Sequence, residues 1–200
     1  MMSADKKLPQ ALSHDMWQPL IETANFPRVI HTSVEQRLQR LEDENAIRDL
    51  LVKYCYAYDS GNLDEVMTTF SEDCVLVNPR ATFVGEAAIR INYAHLISTR
   101  RYSFHHVSNA TIRLNEQSDE ATVTSYWSDK HVGKSGSIDG SDGTYIDRVK
   151  KITGDWQIAE RRITANIFYV MTPYPDPWPP LPTPTRQEGT RDWFGTTYVR

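Results

Sequence analysis

Lys53-Tyr54-Cys55-Tyr56-Ala57-Tyr58-Asp59-Ser60-Gly61 is the stretch that decides the fold, because a long amphipathic run ends there in three tyrosines and a carboxylate. Working back from it, apolar residues fall at Val34, Leu38, Leu41, Ile47, Leu50, Leu51, Tyr54 and Tyr58, the i, i+3/i+4 stripe of a half-buried helix. Ser33 followed by Gln36 can form a capping box, and Gly61 stands where a left-handed stop is expected. The pattern predicts a helix from about Ser33 to Ser60. Its last turn presents Tyr54, Tyr58 and Asp59 at or beside the core-facing stripe, where polar atoms need partners or a cavity.

Downstream, Asn62 and Glu65 form a second capping box before a short helix faced by Leu63, Val66, Met67 and Phe70. Cys74 to Val77 reads as a short strand closed by Asn78-Pro79, and Phe83-Val84-Gly85 leads into a third helix over Glu86 to Ser98. From Tyr102 the period becomes two. Strict alternation over Tyr102 to Leu114 puts Phe104, His106, Ala110, Ile112 and Leu114 on the core face, and His105, Val107 and Asn109 on the other. The next strand, Ala121 to Val132, carries Val123, Trp127, Asp129 and His131 on one face. Gly133 to Gly143 reads as a loop, followed by strands Thr144 to Thr153 and Trp156 to Val170 around the Gly154-Asp155 turn. Gly133-Lys134-Ser135-Gly136 lacks the spaced glycine of a phosphate loop, and Asp139 and Asp142 lack calcium-loop spacing.

Three helices followed by a long-stranded meander predict an α+β fold, with the helices on one face of a curved antiparallel sheet. Two hundred residues at 40% hydrophobic content suit one such domain, over residues 33–170. Residues 1–32, with Pro9, Pro19 and Pro27, read as an extended N-terminal arm. Residues 171–200 form a Pro-rich C-terminal arm, with seven prolines between Met171 and Thr185 and interleaved Tyr174, Trp178 and Leu181. A net charge of −4 with scattered Lys and Arg argues against nucleic acid as partner. No apolar run predicts a signal peptide, a membrane span or a membrane partner. Cys55 and Cys74 sit in apolar contexts and read as buried reduced thiols, which predicts a cytoplasmic protein.

The order of elements, with Lys53-Tyr54, Tyr58-Asp59-Ser60-Gly61 and Phe70-Ser71-Glu72-Asp73, resembles the SnoaL-like branch of the NTF2-like (cystatin-like) superfamily over about Val34 to Val170. The nearest patterns are its cofactor-free lyases: scytalone dehydratase, bile-acid 7-alpha-dehydratase, hexachlorocyclohexane dehydrochlorinase and formaldehyde-releasing lyases of lignin-derived compounds. The resemblance implies a cone-shaped cavity in which Tyr54 and Asp59 from the first helix meet His106 from the first long strand. Asp129 matches an acidic residue of the bile-acid enzyme. His131 is the nearest counterpart to the second histidine of scytalone dehydratase, about two residues out of register. The late-strand arginine of the bile-acid enzyme has Ala165 or Asn166 in its place, with Arg161 and Arg162 earlier.

The residue types suit the chemistry. An imidazole such as His106 offers a base near neutral pH, and Asp59 would fix its tautomer. Tyr54 would donate to developing negative charge, and Asp129 would serve as a second acid or base. Tyr58, Phe104, Trp127, Tyr145 and His131 would line the substrate cavity. No tight ligand motif predicts a metal, and no cofactor is expected. The expected activity is elimination of water or formaldehyde from a small hydroxylated aromatic or cyclic substrate by a homo-oligomer, a trimer rather than a dimer. An isomerase or hydrolase on the same scaffold, and a non-catalytic module such as a dioxygenase small subunit, are the alternatives.

Overall fold

The computed structural model of the 200-residue chain describes residues 14–27, 30 and 33–171. The C-terminal arm, apart from Met171, and residues 1–13 of the N-terminal arm lie outside the described residues. The long helix α2 spans Val34–Asp59, with the Ser33 side chain accepting from the Gln36 amide as its cap. Helix α3, Leu63–Thr68, is capped likewise by Asn62, whose side chain accepts from the Glu65 amide. Strand β1 runs Phe70–Val77, β2 Thr82–Val84, and helix α4 Glu86–Ser98. Four long strands follow, β3 Arg100–Leu114, β4 Glu120–Gly133, β5 Ile138–Ile152 and β6 Asp155–Met171.

The six strands form one sheet in the order β2-β1-β6-β5-β4-β3. It is mixed rather than purely antiparallel: β1 runs parallel to β6, and every other pairing is antiparallel. The expected loop at 133–143 contracts to a tight turn, because β5 already starts at Ile138 and pairs with Val132. The core gathers Ile47, Leu51 and Tyr54 of α2 with Leu76, Ile89, Val123, Val149 and Ile158, all at most 2% exposed. Asp43, buried on α2, accepts from Lys151 Nζ (2.7 Å) and Trp156 Nε1 (3.1 Å), tying the start of the helix to the β5–β6 hairpin. Cys55 and Cys74 are buried and free. Burial pushes each thiol up to about 11.

Part of the predicted extended N-terminal arm is a helix, α1, over His14–Asn25, with Pro19 inside it. Tertiary contacts override the proline: Trp17 meets Tyr126 edge-on at 5.9 Å, and Arg113 Nη2 donates to the Ala24 carbonyl at 2.6 Å. Because Tyr126 is the outward neighbour of Trp127, α1 lies on the sheet face opposite the core. A second departure bears on the site. Between Ser108↔Tyr126 and Thr111↔Thr124, β3 advances three residues while β4 advances two, so β3 carries a β-bulge. Asn109 holds it with a left-handed φ of 52°. The extra residue reverses the phase, so Ile112 and Leu114 face the core together with His105 and Val107. The expectation that His106 and Phe104 face the core is corrected: His106 is exposed, Phe104 is 62% exposed, and their rings meet outside at 4.8 Å.

A further irregularity shapes the far end. The β5–β6 register shifts between Asp142 and Gly143, where the strands crowd so closely that a Cβ on Gly143 would overlap the Thr164 carbonyl oxygen. That same oxygen accepts from Trp127 Nε1 at 3.1 Å, which fixes the indole against the inner face.

Candidate active site

The inner face of the sheet, α2 and α4 enclose a cavity of about 170 Å³. Tyr54, Tyr58, Trp127 and Asp129 line it, as their positions on the helix stripe and strand face predict, and Tyr145 lines it too. His131 lies further out, in an adjoining compartment. Phe104 and His106 do not reach the cavity, for the reason of phase given above. His105 takes the place expected of His106.

The phase of β3 aims His105 at the end of α2, where Asp59 holds it twice. Asp59 Oδ2 accepts from the His105 backbone amide at 2.7 Å, and Oδ1 lies 2.6 Å from Nδ1. An ionised carboxylate can only accept, so the contact fixes the imidazole proton on Nδ1 and leaves the Nε2 lone pair free. Nε2 faces Asp129 Oδ1 at 3.7 Å, too far for a hydrogen bond. The other Asp129 oxygen, Oδ2, meets Arg100 Nη1 and His131 Nδ1, each at 3.1 Å. Asp129 is 3% exposed, and its Oδ1 has no hydrogen-bond partner among the described residues. Such an oxygen costs about 1–3 kcal/mol while unpaired. Two acceptors therefore converge on one point of the cavity, which suits a ligand carrying a donor.

Around this pair stand phenols. Tyr54 and Tyr93 share a hydroxyl contact of 3.0 Å, and Tyr58 meets the His105 ring edge-on at 4.6 Å. Tyr145 stacks on Trp127 at 5.5 Å with 13° between planes. Burial raises the pKa of Tyr54, Tyr58, Tyr93 and Tyr145, so all four are neutral donors around neutral pH. Arg100 lies over the Tyr58 ring at 5.1 Å. Among the described residues, no group of three or more His, Cys, Asp and Glu side chains is placed to hold a metal ion.

His105, Tyr93, Arg100 and Arg80 were absent from the expected site. The one sequence signal for His105 is Ser108-Asn109 in mid-strand, since Asn is the non-glycine residue best suited to a left-handed bulge. Nothing in a lone α4 tyrosine or an arginine at a strand start marks Tyr93 or Arg100.

Solved structures share the fold. A candidate aromatic ring hydroxylase of Novosphingobium aromaticivorans aligns with a TM-score of 0.62 and 25% identity, over 66% of this chain and 94% of that one. A candidate scytalone dehydratase of the same organism aligns at 0.62 and 24%, over 66% and 90%. A type 2 hexachlorocyclohexane dehydrochlorinase aligns at 0.63 and 15%, over 72% and 99%. No curated protein matches the chain. The SnoaL-like domain profile matches residues 39–162, from the second turn of α2 to the first half of β6, and includes Tyr54, Asp59, Tyr93, His105, Asp129 and Tyr145. The chain belongs to the SnoaL-like domain family, with the cystatin-like α+β fold its sequence pattern resembles.

Proposed function

We propose that this protein is a cofactor-free lyase that removes water or formaldehyde from a small hydroxylated aromatic or cyclic substrate, with His105 as the proton-transfer group. The observation that carries the reading is the 2.6 Å contact between Asp59 and His105 Nδ1, which leaves Nε2 as a lone pair aimed into an aromatic cavity. For loss of water Nε2 takes the proton from carbon. For loss of formaldehyde it takes the hydroxymethyl O–H proton as the C=O forms and the C–C bond breaks with its electron pair left on the ring-bearing carbon. In both cases Asp59 stabilises the imidazolium that forms. The same imidazolium then returns its proton to the departing oxygen when water leaves, or to the carbon that keeps the electron pair when formaldehyde leaves. A substrate hydroxyl donates to Asp129 Oδ1, which relieves the unpaired oxygen. The Tyr54 hydroxyl, held neutral by burial, donates to the oxygen on which negative charge develops. Tyr58, Trp127 and Tyr145 supply the walls for a ring.

The neighbours named as a dehydratase and a dehydrochlorinase, both eliminating enzymes by their names, support the reading. A non-catalytic module would be expected to have a plugged cavity and no His–Asp contact, so this contact favours an enzyme. The same base also serves isomerisation or hydrolysis, and product mass separates the three. The assembly proposed is a homo-oligomer, a trimer favoured over a dimer, to be checked by sedimentation.

The test is a mass-resolved screen of purified protein against hydroxylated aromatic compounds, beside His105→Ala, Asp59→Asn and His106→Ala. Loss of water or formaldehyde with the wild type and His106→Ala, abolished in the other two, is the expected result. Turnover surviving His105→Ala would sink the assignment.

A further inference from the structure

The inner cavity is not the whole of the space. It continues into an outer compartment of about 490 Å³, and the two share Arg80, Leu96, Arg100, Ser141 and Phe168 as walls. Their electrostatics differ. At the inner end Asp129 holds Arg100 at 3.1 Å, and Asp59 stands behind His105 with its carboxylate on Nδ1. The outer lining carries Arg80, Arg100, His95 and His131, with Asp139 as its one carboxylate.

Arg80 stands on the β1–β2 turn, and that turn is fixed by its own hydrogen bonds. Asn78 Oδ1 accepts from the amides of Arg80 (2.9 Å) and Ala81 (3.0 Å), and the Asn78 amide donates to the Ala81 carbonyl at 3.0 Å. The backbone beneath the guanidinium is thus ordered before any ligand arrives. Among the described residues the Arg80 side chain has no ion-pair or hydrogen-bond partner, although it borders both compartments. Arg80 is exposed, and a cation at the junction of a channel with no carboxylate beside it among the described residues favours an anion there and supplies a planar fork for a carboxylate.

We infer that Arg80 forms an anion subsite, so that the substrate is an acid whose hydroxylated ring enters the inner cavity while its carboxylate or comparable acidic group stays in the outer compartment. The inner end selects a donor and the outer end selects an anion. This inference takes from the proposed function that the cavity is the substrate site, and it is independent of the reaction performed there. Arg80 here is a specificity residue, remote from the reacting atoms.

The experiment is isothermal titration calorimetry with 4-hydroxyphenylacetate and its neutral amide, 4-hydroxyphenylacetamide, on wild type, Arg80→Ala, Arg80→Glu and His105→Ala. The acid should bind wild type on the order of tenfold tighter than the amide. That preference should vanish in Arg80→Ala, invert in Arg80→Glu and shrink in about 0.5 M salt. It should persist in His105→Ala, so loss of the lyase reading and loss of this one are separable. In turnover of an acidic substrate, Arg80→Ala should raise KM with kcat retained. Equal affinities for acid and amide in wild type, binding of neither, or a preference that survives both Arg80 substitutions would each overturn the subsite.

Discussion

Two ionic groups sit on the same sheet and are built to opposite ends. Asp147 on β5 and Arg161 on β6 are register partners, both fully buried, joined by Nε–Oδ1 at 2.8 Å and Nη2–Oδ2 at 2.7 Å. The Arg161 guanidinium lies 4.2 Å from the ring centroids of both Tyr54 and Tyr145, and neither partner borders the cavity. At the other site, His105 is joined to Asp59 behind it at 2.6 Å and left apart from Asp129 at 3.7 Å, and His105 and Asp129 stand at the cavity wall. The first group pairs its charges with each other, and the one donor it leaves without a hydrogen-bond partner among the described residues, Arg161 Nη1, lies away from the cavity wall. The second keeps an acceptor and a lone pair uncommitted, which is what chemistry on a ligand requires. The difference teaches that burial alone does not mark a site; an unfilled valence at a cavity wall does.

The closed group breaks first and hardest. Arg161→Met leaves the Asp147 charge buried and should cost about 3–5 kcal/mol in urea unfolding, a large share of a domain's stability. Pairing it with Asp147→Leu should recover most of that loss, since well-packed apolar replacements of a buried pair are often neutral. The open group should respond in rate instead. His105→Ala should lower kcat/KM by about 10²–10⁴-fold with the unfolding midpoint near wild type, while His106→Ala stays within about twofold. Tyr54 touches both groups, and Tyr54→Phe should lower kcat on the order of 10²-fold and stability by about 1 kcal/mol.

A pH titration sharpens the contrast further. Folding raises Cys55 from 9.0 to about 11 and raises the four cavity phenols, so above about pH 9 the unfolded chain releases protons that the folded chain keeps. Stability should hold from pH 7 to about 8.5 and then fall as pH rises, with a slope of at most about 1.4 kcal/mol per unit for each group. Denaturant midpoints across that range check it. The bulge should respond in stability alone: Asn109→Val places a β-branched residue at φ 52° and should cost about 1–2 kcal/mol, whereas Asn109→Gly should be neutral or mildly stabilising.

What the sequence made legible follows from locality. The caps at Ser33 and Asn62 and the span Glu86–Ser98 are read from residues three or four apart, and the structure agrees with them to within a residue. Tyr54 and Tyr58 follow from the helix stripe, and Trp127 and Asp129 from strand alternation. His105 does not, because one extra residue at Asn109 inverts everything before it, and a rule of strict alternation carries the error without any local sign. Helix α1 was hidden by Pro19, whose cost is outweighed by contacts to strands about a hundred residues away. The parallel pairing of β1 with β6 is likewise a property of the assembled sheet rather than of either segment.

Gly143 carries a consequence for how this chain can change over time. It is not among the residues lining the cavity and bears no functional group, yet any side chain there would collide with the Thr164 backbone and displace the oxygen that anchors Trp127. Selection acting only on the aromatic wall would thus register at a residue with no side chain, one strand away. A library that randomises the visible lining would explore new specificities, whereas one that includes Gly143 would lose the room in which they are read.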